Sequence, residues 1–207
     1  MNRPARAQSS ATRIALLEAA RTMLRQHGYA GLSTRDVAAA AGMPLSQIHY
    51  HFGSKQNLLV GLFEYMNEQL LDRQQALFGD PSLALSMQWE RACDYLDEDI
   101  ASGYVRVLQE LTAAGWADAE VAKVVRAGLQ GWVDLIAGLA GRAQRRFGGL
   151  GPFTPQEMGA LIANAFMGAE SMQALGMEDS GVPVRAALRR FGEVIRLAES
   201  SASRKAE

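Results

Sequence analysis

The sequence predicts an all-α protein, an N-terminal group of three helices followed by a C-terminal helical bundle, about nine helices in all. Three observations carry this. Apolar residues recur at three- and four-residue intervals through most of the chain. No segment sustains the period-two alternation of a strand. Glycine, proline and capping residues cut the periodic stretches into ordinary helix lengths. With 207 residues, 48% of them apolar, the chain can form a packed core in one large domain or two small ones.

The elements follow in order. Residues 1–9 show no apolar periodicity and are expected to be disordered. From Ser10 to His27, Leu16, Ala20, Met23 and Leu24, with Leu17 beside them, mark one helical face, and Gly28 stops the helix as a C-cap glycine does. Tyr29 and Leu32 then turn back toward the core. Ser33, with Asp36 three residues on, forms a shortened capping box that opens an alanine-rich helix over 34–41, ending at Gly42. Pro44 has no backbone donor and suits the first turn of a second short helix reaching His51. Ser54 is the next N-cap. Leu59, Leu62, Phe63, Met66 and Leu70 line one face of a long helix to Phe78, which Gly79-Asp80-Pro81 breaks. Further helices are expected over 82–101, 104–115, 118–147, 155–176 and 183–200, and only the tail 199–207 is of low complexity.

Composition excludes several classes. Cys93 is the single cysteine, so no disulfide framework exists and a reducing, cytoplasmic setting is expected. Its expected role is that of a small buried hydrophobe. No run approaches the ~20 apolar residues of a membrane span, and the opening MNRPARAQSSATR lacks the apolar segment of a secretory signal. No membrane partner is expected. Net charge is −1 but unevenly placed: residues 1–55 hold seven basic and two acidic residues, the remainder 14 and 20. All three histidines, His27, His49 and His51, lie in the basic segment. A basic module on an acidic body suits a protein that docks one end on a polyanion.

Residues 33–55 read STRDVAAAAGMPLSQIHYHFGSK. A capped helix leads through Gly42 into a second short helix with polar and aromatic side chains, and a third opens at Ser54-Lys55. This is a helix-turn-helix with a phosphate clamp behind it, a unit that lays its second helix in the DNA major groove. The surrounding pattern resembles the TetR family of transcriptional regulators. The resemblance is carried by Leu17-Glu18-Ala19-Ala20, Gly28-Tyr29, Ser33-Thr34-Arg35-Asp36-Val37-Ala38, Ala41-Gly42, Ile48-His49-Tyr50-His51-Phe52, Ser54-Lys55 and Leu58. Beyond residue 65 it is architectural only. Pro44 stands where the family usually has a capping Ser or Thr, and His49 where it usually has Tyr. A free histidine titrates near pH ~6.5, so His49 could make DNA binding pH-sensitive.

Within residues 10–55, the DNA-binding domain of this reading, Leu45, Ser46 and Gln47 face the groove at the start of the recognition helix. Gln47 can bond an adenine edge in bidentate fashion, and Leu45 can pack on a thymine methyl. His49, Tyr50 and His51 can donate to phosphates, although one of Tyr50 and His51 could instead pack inward. Thr34 and Arg35 stand where helix amides favour a phosphate, with capping an equal alternative for Thr34. Lys55 is placed for the flanking phosphate. Ile48 and Phe52 are core. His49 and His51 are about 200° apart around a helix, so they share no metal site.

Residues 56–200 are expected to bind a small molecule and to dimerise. They contain no histidine, no Gly-rich phosphate loop and no metal-ligand spacing, so no enzyme, cofactor or metal is expected. Asp94, Asp97, Glu98 and Asp99 read as a solvated face or a cation-attracting cluster. Trp89, Tyr104, Trp116, Trp132, Phe166 and Met167 could line an apolar pocket, and Gly103, Gly115, Gly128, Gly131 and Gly138 would favour a void beside them. Glu170 reads equally as a ligand contact or a dimer hydrogen bond. Met158, Leu161, Ile162, Ala165, Phe166 and Ala169 form one apolar stripe, with small Gly159, Ala163 and Gly168 leaving room for close approach. Val184, Leu188, Phe191 and Ile195 form a second. In the resembled family the last two helices build a dimer bundle, which implies an interface through Leu161, Ile162, Ala165, Ala169, Leu188, Phe191 and Ile195. The implied whole is a cytoplasmic homodimeric repressor that binds a double-stranded, pseudo-palindromic operator and is released by a small apolar or aromatic effector. The alternatives are a ligand-independent architectural DNA binder and an enzyme with a DNA-binding head.

Overall fold

The computed structural model describes residues 3–206. Among the described residues there are nine helices: α1 (Arg3–Gly31), α2 (Thr34–Ala40), α3 (Leu45–His51), α4 (Lys55–Gly79), α5 (Leu85–Ser102), α6 (Tyr104–Gly115), α7 (Ala119–Phe147), α8 (Pro155–Ala174) and α9 (Val184–Ala206). The only pairing of strand type among them is an isolated bridge between Leu150 and Pro152.

Local chemistry sets most boundaries. Gly28 adopts φ 68° and ψ −179°, so α1 is two helical stretches meeting at a bend. A side chain there would be strained and would also meet Arg106 Nη1 at 3.3 Å from its Cβ. Ser33 Oγ accepts from the Asp36 amide at 3.1 Å and Ser54 Oγ from the Asn57 amide at 3.0 Å, capping α2 and α4. Asp118 Oδ1 accepts from the amides of Glu120 and Val121 ahead of α7. Thr154 and Glu157 make a full capping box, with Pro155 in the first turn of α8.

Two boundary expectations change. The segment from Arg3 to Ser9, expected to be disordered, is helical; residues 1 and 2 lie outside the described part. Its alanines and glutamine favour a helix, and Pro4 falls in the first turn, where its missing N–H costs nothing. Pro44 sits one residue before α3, extended at φ −66° and ψ 147°, rather than inside its first turn.

The chain forms two compact units, and they do not follow chain order. The first takes the chain up to Glu68 together with Ser102–Val125; the second takes Gln69–Ala101 and Arg126–Glu207. α6 and the start of α7 pack with the N-terminal helices, so this compact unit extends beyond the residues 10–55 read as the DNA-binding domain. Arg21 Nε donates to the Ser102 carbonyl at 3.2 Å, Gln56 Nε2 to Asp118 Oδ2 at 2.7 Å, and Tyr104 Oη to Asn67 Oδ1 at 2.9 Å. The core of this unit includes Leu16, Leu17, Leu24, Val37, Ile48, Leu62, Phe63, Leu108 and Leu111, all under 2% exposed or nearly so. Each such side chain contributes roughly 1.5–3 kcal/mol on burial.

The core of the second unit gathers Leu77, Phe78, Trp89, Ala92, Cys93, Leu96, Ile136, Phe166, Ala169 and Val184. Gly159 lets α8 lie against α7: a Cβ there would stand 2.9 Å from the Ala137 amide nitrogen. Its smallness thus serves packing inside the chain rather than the approach of a second copy.

Candidate functional site

In the first unit, α2 and α3 pack on each other and on α1. Val37 and Ile48 are fully buried and Phe52 is 7% exposed, so the inward faces of both short helices are fixed. The turn between them uses Gly42 at φ 66°, a conformation an L side chain rarely adopts.

That anchoring decides what is left outside. Ser46 and His49 are exposed, Leu45 and Gln47 are half-buried, and Tyr50 is 71% exposed. Arg35 is exposed and Thr34 half-buried in the first turn of α2. His51 is half-buried, edge-on to Tyr50 at 4.9 Å between centroids. Of these neighbours it is thus His51 that packs inward and Tyr50 that stands out. Burial, then the nearby Arg13 charge, hold the His51 imidazole below its ordinary range. His49 Nδ1 lies 3.4 Å from the Gly53 carbonyl oxygen, a long contact that barely restrains the ring.

Lys55 has a partner the sequence did not announce. Its Nζ donates to the Tyr29 carbonyl at 2.8 Å and sits 4.2 Å from the centre of the Tyr29 ring. The lysine thereby ties the start of α4 to the bend at Gly28. Arg13 is a second omission: its guanidinium lies over the Phe52 ring at 5.6 Å and reaches toward Glu64 at 3.9 Å. One turn of helix from Leu16 and Leu17, it was legible as the basic residue at the edge of the buried face.

The residues read as a ligand pocket do not all meet. Trp89, Trp132 and Phe166 form one cluster in the second unit, with Phe166 edge-on to Trp89 at 5.3 Å and to Trp132 at 5.6 Å. Met167 is half-buried beside Phe166 in sequence. Tyr104 belongs to the first unit, where it stacks on Phe63 at 5.9 Å. Trp116 is 86% exposed and lines no interior. Three of the glycines expected to favour a void have close neighbours instead. A Cβ at Gly103 would meet Arg25 at 3.0 Å, at Gly115 Ala122 at 3.1 Å and at Gly131 Leu71 at 3.1 Å. These glycines admit close neighbours; Gly138 alone of the four has open space beside it.

The acidic cluster of α5 is partly exposed and matched by arginines. Asp97 pairs with Arg185 at 3.0 Å, Asp94 with Arg189 at 2.7 Å, and Glu90 with Arg196, so one stripe of α5 is matched by arginines of α9. Asp99 is buried and accepts from Arg73 Nη2 at 2.7 and 2.9 Å. Burial raises its carboxyl to about 6 against the pull of Arg73. Glu170 is 9% exposed, with Oε2 buried and without a hydrogen-bond partner, inside the chain rather than on an outer face. Burial first, and then the Asp99 charge, push it up to about 8. Cys93 is 5% exposed and its thiol is pushed up to about 11 by burial, so it is unreactive at neutral pH. No group of three or more metal-ligating side chains occurs among the described residues.

The residues read as a dimer interface divide. Leu161 is 52% exposed, Phe191 40%, and Ala165 is exposed. Ala169 is buried, and Ile162, Leu188 and Ile195 pack against the core of their own unit. Met172, Val194 and Leu197 on the same two helices, and Leu175 at the C-cap of α8, are 45–79% exposed and lie outside the expected interface.

No described helix is long and apolar enough to cross a membrane. Residues 16–62 match the profile of bacterial regulatory proteins of the tetR family. Over 90 residues the chain is 34% identical to the HTH-type transcriptional regulator CymR of Pseudomonas putida, a match covering 42% of this chain and 44% of that protein. Across the whole fold it is similar to a TetR-family transcriptional regulator from Rhodococcus, with a TM-score of 0.69, 23% identity, and 90% and 98% of the two chains covered. It is similar to FadR of Bacillus subtilis, solved with stearoyl-CoA, at a TM-score of 0.69 and 14% identity, over 88% and 96% of the two chains. Over residues 16–62 the chain is thus similar to bacterial regulatory proteins of the tetR family, and along its whole length it shares the fold of these solved regulators.

Proposed function

We propose that this regulator is a homodimeric repressor that binds a pseudo-palindromic operator through α2 and α3 and leaves it when a small effector enters the second unit. One observation carries the DNA reading. Tyr50 stands 71% exposed beside exposed Ser46 and His49 on a helix whose other side is locked by Ile48. A large aromatic held in water on a rigid basic module suits contact with a polyanion. Gln47 and Leu45 supply base contacts; Thr34, Arg35, His49, Tyr50 and Lys55 supply backbone contacts.

The exposed apolar side chains of α8, its C-cap and α9 support self-association, since Leu161, Leu175, Val194 and Leu197 lie 52–79% open to water. Two copies would set their recognition helices one DNA turn apart, ~34–36 Å, or a multiple of it. The effector reading rests on the second unit's buried polar groups. It works as a coupling free energy: a ligand that binds only the spacing unable to grip DNA shifts the population away from it.

The test is binding to duplexes from the DNA flanking the protein's own gene, at graded salt. A specific duplex should bind with an affinity falling steeply with salt. Equal affinity for all duplexes would favour a ligand-independent architectural binder.

A further inference from the structure

The second unit buries an acid with one carboxyl oxygen that no described residue bonds. Glu170 lies on α8 at 9% exposure, and its Oε2 is buried with no hydrogen-bond partner. Phe166 precedes it by one helical turn, so the carboxyl stands beside the aromatic cluster of Phe166, Trp89 and Trp132. Gln173, three residues further along the same helix, also has a buried Nε2 without a partner. Native proteins seldom leave buried polar atoms unsatisfied, and a set of them asks for an outside partner.

The surrounding charges choose the kind of partner. Asp99 of α5 acts on Glu170, and Asp99 is held by Arg73 of α4. The same guanidinium donates to Glu98 of α5 at 3.0 Å. Two carboxylates already share one cation before Glu170 ionises. An anionic ligand would enter an uncompensated negative field, while a cation would balance it.

We propose that Glu170 is the anchor for a primary amine, an apolar or aromatic effector whose ammonium is held by Glu170 Oε2 with its body against the Phe166 and Trp132 edge. This rests on the reading of the second unit as the effector-binding part, and it names the ligand's class. An ammonium supplies both the donor and the charge that the site lacks; an alcohol supplies only the donor, and a carboxylate opposes the charge. The exchange balances as a proton release. Glu170 carries a proton at neutral pH, since burial and Asp99 raise it to about 8. The incoming ammonium takes the proton's place, and the proton leaves to solvent. Affinity should therefore rise with pH up to that value and level off beyond it.

The experiment uses the full chain carrying Trp116→Phe, so that tryptophan emission comes from Trp89 and Trp132 alone. Hexylamine, phenylbutylamine and dodecylamine are titrated beside phenylbutanol and phenylbutyrate. At least one amine should quench emission and bind about tenfold or more tighter than the alcohol, with no binding of the acid. Its affinity should climb nearly tenfold per unit from about pH 6 to about pH 8. In Glu170→Gln the amine should fall to the alcohol's affinity and lose its pH slope. The slope in the unmutated glutamate protein is read independently, should the variant fold poorly. No quench by any amine, a flat pH profile, or an unchanged affinity in Glu170→Gln would overturn the proposal. An amine that binds with this profile yet leaves the operator complex intact would keep the anchor and remove the effector reading beneath it.

Discussion

In the first unit, the side chains left in water around α2 and α3 are polar, basic or amphipathic: Arg35, Ser46, His49 and Tyr50. In the second, Leu161, Met172, Leu175, Val194 and Leu197 stand exposed, while Asp99, Glu170 and Glu199 are buried. The two units thus depart from an ordinary globular surface in opposite ways. A unit that shows rigid polar groups to water is built to meet a charged, hydrated surface. A unit that shows apolar side chains and hides acids is built to be covered outside and completed inside. The difference supports the proposed division, with self-association and ligand chemistry in the second unit and DNA contact in the first.

The largest expected effect tests the outer face of the second unit. Leu161→Glu together with Leu197→Glu should convert a dimer into monomers at micromolar concentration in sedimentation. Burying an unpaired charge costs several kcal/mol, which weakens association by more than about a hundredfold. Both residues are over half exposed in the single chain, so the monomer itself should keep its helical circular dichroism. A wild-type protein that sediments as a monomer would end the contrast between the units.

The next effect tests the inner face. Glu170 is raised in the folded chain, to about 8 from an ordinary value of 4.5. An acid raised by folding binds its proton more tightly in the native state, so stability falls as pH climbs from its unfolded value to its folded one. The melting temperature of the wild type should drop across that window, on the order of 5 °C relative to Glu170→Gln. Parallel melting curves for the two proteins from acid to mildly basic pH would show that the carboxyl is solvated.

A third test divides the first unit into residues that position it and residues that read sequence. Lys55→Ala should weaken binding to every duplex and shrink the salt slope by about one unit. It should also cost about 1 kcal/mol of stability, because Lys55 bonds the Tyr29 carbonyl at 2.8 Å. Gln47→Ala should leave stability unchanged and relax preference at one or two base positions, by about 1–3 kcal/mol. Equal losses on all sequences for both variants would remove Gln47 from the readout.

These expectations differ in how far the chain itself announced them. Ser33, Ser54 and Thr154 cap helices through atoms three residues away, so their boundaries were legible or could have been. The order of cap, glycine and aromatic run placed the whole helix-turn-helix for the same reason. The cap on α5 was not legible: Glu199 of α9 accepts from the Leu85 amide at 2.8 Å and Ser86 Oγ at 2.6 Å across more than a hundred residues. The ladder of Glu90, Asp94 and Asp97 against Arg196, Arg189 and Arg185 was hidden likewise, although each stripe has helical spacing and the two could have been matched. The packing of α6 with the N-terminal helices was not legible, because the two segments are distant in sequence. Trp116 failed because composition counts an aromatic as interior and cannot see a turn that holds it out.

That residue gives the smallest effect and the sharpest control on the comparison. Trp116 follows Gly115, where a Cβ would lie 3.1 Å from Ala122, so the backbone turns tightly and leaves the indole 86% exposed. It is the exception in a unit whose other exposed groups are mostly polar. A side chain with so little buried surface contributes little, and Trp116→Phe should change stability by under about 0.5 kcal/mol. The substitution should remove the water-exposed part of the emission and shift the maximum to shorter wavelength, since Trp89 is 6% exposed and donates its indole N–H to Leu188 at 2.7 Å. Destabilisation beyond about 1 kcal/mol would mean that Trp116 is covered in solution. The first unit would then present an apolar docking point of its own, and the division of labour drawn between the two units would have to be redrawn.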